Sequence, residues 1–436
     1  MQSTIHAAIG IDFGTTNSAI ARVIAGDEVE LATFPLEGAL TDAYRSLLYL
    51  EQFKERGRST VKSWTGPAGI ERYLAADAKG RLIQSLKSFL SSRLLESTEI
   101  FGKRHTVEEL IARILRDLRE HAELQFGVHI TAAIVGRPVR FVGSSDDSDD
   151  DFAQGRLRRA FELAGFEGVE FEMEPVAAAH YYESTLDHDE LIMIGDFGGG
   201  TSDFSLIRVG PGVRRRGRQP ADLLGNAGVG LAGDAFDAKI IRHLVAPELG
   251  WGSEIRSGNK TLPVPSWLYA KLERWHYLSF LRARDVMNLL RSIRTQALEP
   301  DKIETLIHLI DDDLGYQLHR AVQTVKCALS AAATAEFHFK APGIDIQAAV
   351  ERRDFEDWIA EELEKIEMCV DALLAETRVD PKEVDMVFLT GGSSFVPAVR
   401  RIFESRFGAK RLRHGSEFTS VAQGLALNAA VRTHVC

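Results

Sequence analysis

Two aspartates, Asp12 and Asp196, each stand two residues ahead of a turn made of small residues: Gly14-Thr15-Thr16 after the first, Gly198-Gly199-Gly200-Thr201 after the second. Turns of this composition leave backbone N–H groups unobstructed by Cβ atoms, and a concave array of such donors binds anions, polyphosphates above all. A carboxylate beside such a cradle repels phosphate unless a divalent cation lies between them. The pairing therefore points to Mg²⁺, held through oxygen ligands and water. One glycine-rich turn alone is ordinary hairpin punctuation; two, each with its aspartate, predict a phosphate cleft. A third segment, Leu389-Thr390-Gly391-Gly392-Ser393, would let a ligand approach the backbone closely, although a Gly-Gly turn between strand and helix is common in itself.

The elements that must position these residues repeat as well. Ile9-Gly10-Ile11-Asp12-Phe13-Gly14, running on to Arg22-Val23, returns as Ile194-Gly195-Asp196-Phe197-Gly198, running on to Arg208-Val209. Each copy reads as strand, tight turn and second strand, a β-hairpin with an aspartate near its tip. Two copies predict two similar lobes facing each other. Around them, helices and strands alternate. Thr106 and Glu109 form a capping box ahead of Val107, Leu110, Ile111, Ile114, Leu115 and Leu118, and a buried strand is predicted from Ile130 to Val135. Leu157, Phe161 and Ala164 mark a helix stopped at Gly165, Leu318 to Leu329 mark another, and Phe355 to Val370 a third. The fold class is α/β, with two duplicated lobes around a central cleft.

Three stretches read as irregular surface. Ser144 to Asp151 is a like-charge run expected to be a solvated loop, and Pro247 to Pro265 reads as an insertion with its own loops. Arg214-Arg215-Arg216-Gly217-Arg218 is either a solvated hairpin tip or a dock for an acidic partner. Composition sets the outer limits on function. The 436 residues carry 52 Lys+Arg against 63 Asp+Glu, a net charge of −11 that disfavours a nucleic-acid-coating role. Three cysteines, Cys327, Cys369 and Cys436, are too scattered for a disulfide framework or zinc cluster. The N-terminal residues read as the start of a first strand, not a signal peptide, and no apolar run approaches the ~18 residues of a membrane span. A cytoplasmic protein is expected.

The segments IDFGTTNS, DFGGGTSDFS and LTGGSSFVPAV resemble the three signatures of the heat-shock protein 70 chaperones, within the actin–hexokinase–chaperone ATPase superfamily. Glu174-Pro175-Val176-Ala177-Ala178-Ala179 and Ser85-Leu86-Lys87-Ser88-Phe89-Leu90 are similar to further segments of that family, the second being the one that carries its catalytic lysine. The short YegD-like members, made of the ATPase part alone, look most similar. This resemblance implies actin-like (ribonuclease H-like) lobes around a nucleotide cleft, Mg-ATP and Mg-ADP as ligands and slow ATP hydrolysis, with Asp12 and Asp196 as the metal residues. It implies a catalytic set of Lys87, Glu174, Asp196 and Thr201. Nucleotide-binding roles follow for Asp12, Gly14, Thr15, Thr16, Asn17, Gly198, Gly199, Gly200, Thr201, Gly233, Lys326, Ser330, Gly391, Gly392, Ser393 and Phe395. Each has a plainer alternative: Lys87 as a snorkelling surface cation, Glu174 as a helix-start carboxylate.

The resemblance also implies departures. Cys327 and Phe395 stand where the family places the arginines that sandwich adenine, and Gln323 where it places an acidic ribose contact, so a weakened adenine preference is expected. Pro138 matches the family's relay proline, but Gly155 stands where its arginine partner belongs. The expected division is residues 1–187 as a first lobe, with 36–105 peripheral, and 188–414 as a second, with about 231–345 peripheral. Residues 415–436 return as a helix to the first lobe, with no peptide-binding domain following. Besides nucleotide, the expected partner is a protein that reads lobe closure; no nucleic acid or membrane is expected. The rival classes are a nucleotide-gated scaffold with negligible ATPase activity and, less favoured, a small-molecule kinase of the same superfamily.

Overall fold

The computed structural model describes residues 8–36, 38–55, 58–76, 80–274, 281–414 and 419–434. The expectations for residues 1–7 and Cys436 fall outside them. The chain forms two compact units, one of Met1–Gly233, Lys365–Phe395 and Val399–Cys436, the other of Asp234–Glu364 and Val396–Ala398.

The first unit holds two sheets of the same design. In one, the strands run in the order Gly168–Met173, Ala132–Arg137, Ile9–Phe13, Asn17–Ala25, Glu28–Leu31, with Tyr44–Arg45 added beside Asn17–Ala25. In the other they run Leu412–His414, Met386–Thr390, Glu190–Phe197, Ser202–Val209, Leu223–Val229. In both, a strand and its hairpin partner pair antiparallel while two later strands add in parallel on the opposite side. The repeat seen in the sequence is thus a repeat of topology. Glu190–Phe197 is buried along its whole length, as a central strand covered on both faces must be.

Two helices rich in small residues tie the sheets together. Glu174–Glu183 and Ser420–His434 share one apolar cluster with Ile134 of the first sheet and Ile192, Ile194, Ile207, Val209 and Phe388 of the second. The helices meet backbone to backbone: a methyl group on Gly424 would fall 1.7 Å from the carbonyl oxygen of Ala177. Ser420–His434 also lies close to the strand beneath, where a methyl on Gly10 would fall 2.4 Å from Ala422 O. Alanines and glycines here set the spacing of the layers.

The capping box of Thr106 and Glu109 opens the helix Val107–Phe126, which buries the predicted Val107, Leu110, Ile111, Ile114, Leu115 and Leu118. The predicted strand at Ile130 forms slightly later, over Ala132–Arg137. The acidic run is not a loop. Asp146 caps the helix Asp147–Ala164, and Asp150, buried, accepts from Phe141 N at 2.8 Å and pairs with Arg140 at 2.9 Å. Acidic side chains suit a helix N-terminus, where unpaired N–H groups and the helix dipole favour negative charge. The basic run is not a hairpin tip: Arg214 to Arg216 form the last turn of a short helix, Pro211–Arg216, and most of the run's charge is neutralised internally. Arg214 pairs with Asp27, Arg216 with Asp222, and Arg218 with Glu183. The acidic-partner reading loses its basis, because little free positive charge remains.

In the second unit, Gly315–Ala331 buries Leu318, Val322, Val325 and Leu329 as predicted and packs on the hairpin Thr334–Ala341/Ile344–Glu351. The expected single helix from Phe355 to Val370 breaks at Ile359 into Arg352–Trp358 and Ala360–Thr377. The 247–265 stretch carries a two-stranded ribbon, Glu254–Ser257 with Lys260–Pro263, where only loops were expected. Among the described residues, Cys327 and Cys369 are free thiols, and no helix is long and apolar enough to cross a membrane.

Candidate functional site

The two hairpin tips meet. In the first hairpin Asp12 pairs with Ala19 and Phe13 with Ser18, leaving Gly14 to Asn17 as the tip; in the second Asp196 pairs with Asp203 and Phe197 with Ser202, leaving Gly198 to Thr201. A hydrogen bond from Gly198 N to Thr201 O, 2.9 Å, closes the second tip. A methyl group on Gly200 would lie 3.4 Å from Thr15 Oγ1 and 2.7 Å from Val142 Cγ2. The contact with Thr15 would tolerate a Cβ, but the one with Val142 would not, so glycine at 200 is what lets the second tip pack against that side chain.

Lys87 reaches the same place from a 3₁₀ turn, Leu86–Phe89, entered through Ser85 in the left-handed region at φ 53°. Its Nζ lies 2.6 Å from Glu174 Oε1, and both residues are buried. Glu174 is the first residue of its helix, followed by Pro175. The helix-start reading therefore holds, and the same residue is ion-paired with Lys87. The snorkelling alternative for Lys87 fails, since a surface cation would not be buried against a carboxylate.

Asp12, Asp196, Asp203 and Glu174 surround this one ammonium. Burial first, then the charges of Glu174 and Asp12, hold the Asp196 carboxyl well above the usual carboxylate range; Asp12 is raised by burial and Glu174 against the pull of Lys87. Asp203 is pushed up to about 7 by burial and Glu174, with the Thr201 hydroxyl and the Val139 and Arg140 amides pulling the other way. Burial by itself would lower the Lys87 ammonium, but Glu174, Asp12 and Asp203 hold it above its ordinary value. The cluster carries more acid than its lysine can balance.

That surplus has a measurable sign. An acid whose folded value exceeds its unfolded one binds more protons when folded, so its contribution to stability falls as pH rises from 3.8 through about 7. Asp203→Asn fixes the neutral form and keeps an Oδ1 acceptor. It should raise the melting temperature over wild type by a few degrees at pH 8 and by much less at pH 5. Melting curves showing an equal or reversed difference at the two pH values would contradict this origin of the shift.

The other anticipated residues divide. Gly233 N donates to Gly198 O at 3.4 Å, and Gly391, at φ +82°, passes so close beneath the second hairpin that a methyl there would fall 2.1 Å from Phe197 O. Ser393 is buried, Gly392 exposed and Phe395 half-buried in the turn that follows. Thr16 O accepts from Ser46 N, and Asn17 Oδ1 accepts from Arg45 at 3.1 Å, so the Asn17 side chain is engaged by its neighbouring strand. Lys326 and Ser330 lie in the second unit, where Lys326 Nζ pairs with the buried Asp237 at 2.6 Å and Ser330 Oγ donates to Lys326 O.

Asp203 escaped the sequence reading. It is 1% exposed, and its Oδ1 accepts from Val139 N at 2.7 Å and Arg140 N at 3.3 Å, so it joins the second hairpin to the loop after Ala132–Arg137. The signal lay in the register: the residue across the ladder from Asp196 is an acid, whereas the one across from Asp12 is Ala19.

Duplicated sheets joined through paired helices, with facing glycine-rich tips that each carry an aspartate, define the actin-like ATPase fold. A family model described as "Hsp70 protein" matches residues 79–255 and 293–435, and the chain belongs to the Hsp70 family. It is 26% identical over 434 residues to the chaperone protein DnaK of Thermosipho melanesiensis, covering 99% of this chain and 60% of that protein. It is 26% identical over 424 residues to the chaperone protein DnaK of Thermosipho africanus, covering 97% of this chain and 58% of that protein. The chain thus spans about three fifths of the length of these curated relatives.

Proposed function

We propose that this protein binds Mg-ATP at the facing hairpin tips and hydrolyses it slowly to ADP and phosphate, as a chaperone-like ATPase with a weakened adenine preference. The observation that carries the reading is the buried Lys87–Glu174 pair, 2.6 Å apart, set among the carboxylates of both hairpins. The donor set suits magnesium: Asp12 and Asp196 are two hard carboxylates, and the charge of Asp12 helps to raise the Asp196 carboxyl. An ion that keeps several waters and takes its remaining ligands from phosphate needs no more. When bound, Mg²⁺ would neutralise charge on the phosphates and on these two acids.

The chain's own groups divide the remaining work. Amides and hydroxyls of Thr15, Thr16 and Gly198 to Thr201 hold phosphate oxygens, Lys87 neutralises charge on the terminal phosphate, and Glu174 orients the attacking water. Phosphoryl transfer asks mainly for such positioning and charge balance. Lys87 and Glu174 hold each other in an ion pair, which must loosen before each can serve its own part. Closure of the two sheets around nucleotide would be the output that a protein partner reads.

Phosphate release by the purified protein with Mg-ATP tests the reading. Release above background is expected, and Asp196→Ala should reduce it to background. Nucleotide binding without any release would favour the scaffold reading over the ATPase.

A further inference from the structure

The turn that carries Lys87 holds one more group directed at the tips. Ser88 Oγ lies with Thr15 Oγ1 around the bare face of Gly200, where a methyl group would sit 3.7 Å from Ser88 Oγ and 3.4 Å from Thr15 Oγ1. Ser88 N–H is already given to Ser85 O at 3.0 Å, but its hydroxyl has no hydrogen-bond partner among the described residues. The neighbouring serines differ: Ser91 Oγ donates to Val142 O, and Ser92 Oγ accepts from Leu95 N at 3.3 Å.

The turn is also held rigidly. The buried Arg156 guanidinium donates to the carbonyls of Phe89, Leu90, Ser92 and Leu95, at 3.1–3.3 Å, and pairs with Glu108. These bonds anchor the end of the turn and the chain that leaves it, which fixes the backbone from which Ser88 projects.

We infer that Ser88 is a ligand of the terminal phosphate, donating from Oγ to a γ-phosphate oxygen, and that it helps the site to distinguish a nucleoside triphosphate from a diphosphate. This rests on the proposed function. The Lys87–Glu174 pair marks the end of the site where water attacks, and Ser88 is the residue next to Lys87, facing the cradle from the same turn. A hydroxyl there adds a donor without adding charge to the crowded cluster. A hydrogen bond to a charged phosphate oxygen that exists only when the γ-phosphate is present contributes to triphosphate affinity alone.

Titration calorimetry with Mg²⁺, ADP and a non-hydrolysable ATP analogue tests it. Ser88→Ala should weaken the triphosphate analogue about tenfold while leaving ADP within about twofold of wild type. Ser88→Thr, which keeps the hydroxyl, should recover most of the loss. Unchanged triphosphate affinity in Ser88→Ala would overturn the assignment. So would equal weakening of both ligands in a variant that melts with wild type. Wild-type protein that binds neither nucleotide would overturn the functional reading itself and this inference with it, an outcome distinct from the other two.

Discussion

Lys87→Ala should bind Mg-nucleotide and turn it over at least about a hundredfold more slowly than wild type, the scale on which removing one preorganised charge-stabilising group acts. The ammonium stands among Asp12, Asp196, Asp203 and Glu174, and its partner Glu174 is 7% exposed. Its loss also leaves Glu174 buried and uncompensated, which costs stability of about 3–5 kcal/mol. A fall in activity alone would therefore mix two effects. Pairing Lys87→Met with Glu174→Gln separates them, because it removes both charges at once. The double variant should melt closer to wild type than Lys87→Ala does and remain inactive. Single-turnover phosphate release at wild-type rate in Lys87→Ala, or recovered turnover in the double variant, would refute the catalytic role.

The second large effect is structural. Gly424→Ala should lower the melting temperature by roughly 5 °C, from a loss of about 3 kcal/mol at the upper end of overpacking costs. The added methyl would fall 1.7 Å from Ala177 O and 3.2 Å from Tyr181 N, backbone atoms of a helix that cannot yield as a flexible side chain would. The displaced helix is the one that begins with Glu174, so turnover should fall with stability. Gly155→Ala is the matched control. That glycine is exposed within Asp147–Ala164, with nothing within 4 Å of an added methyl, and the substitution should stabilise by about 0.5–1 kcal/mol. Similar melting shifts for the two variants would contradict the close helix contact.

Where sequence reasoning succeeded, the signal was local or periodic. The Thr106–Glu109 box, the apolar face from Val107 to Leu118 and the two Asp-Phe-Gly turns each carry their instruction within a few residues of chain. Where it failed, the deciding partner lay outside the motif being read. Ser144 to Asp151 reads as a solvated charge run until Arg140 and Phe141 N meet Asp150. The basic turn reads as free charge until Asp27 and Glu183 are placed against Arg214 and Arg218.

The candidate site divides along the same line. By itself the amino-acid order determined that two hairpins with glycine-rich tips exist, that each bears an aspartate, and that strands and helices alternate around them. Periodicity and turn chemistry follow from backbone geometry over short spans. Only the tertiary structure decided that the tips touch across Gly200, that Lys87 and Glu174, 87 residues apart, share a buried ion pair, and that Asp203 belongs with them. Charge balance and burial are properties of what surrounds a group in space, and no local stretch of sequence specifies its surroundings.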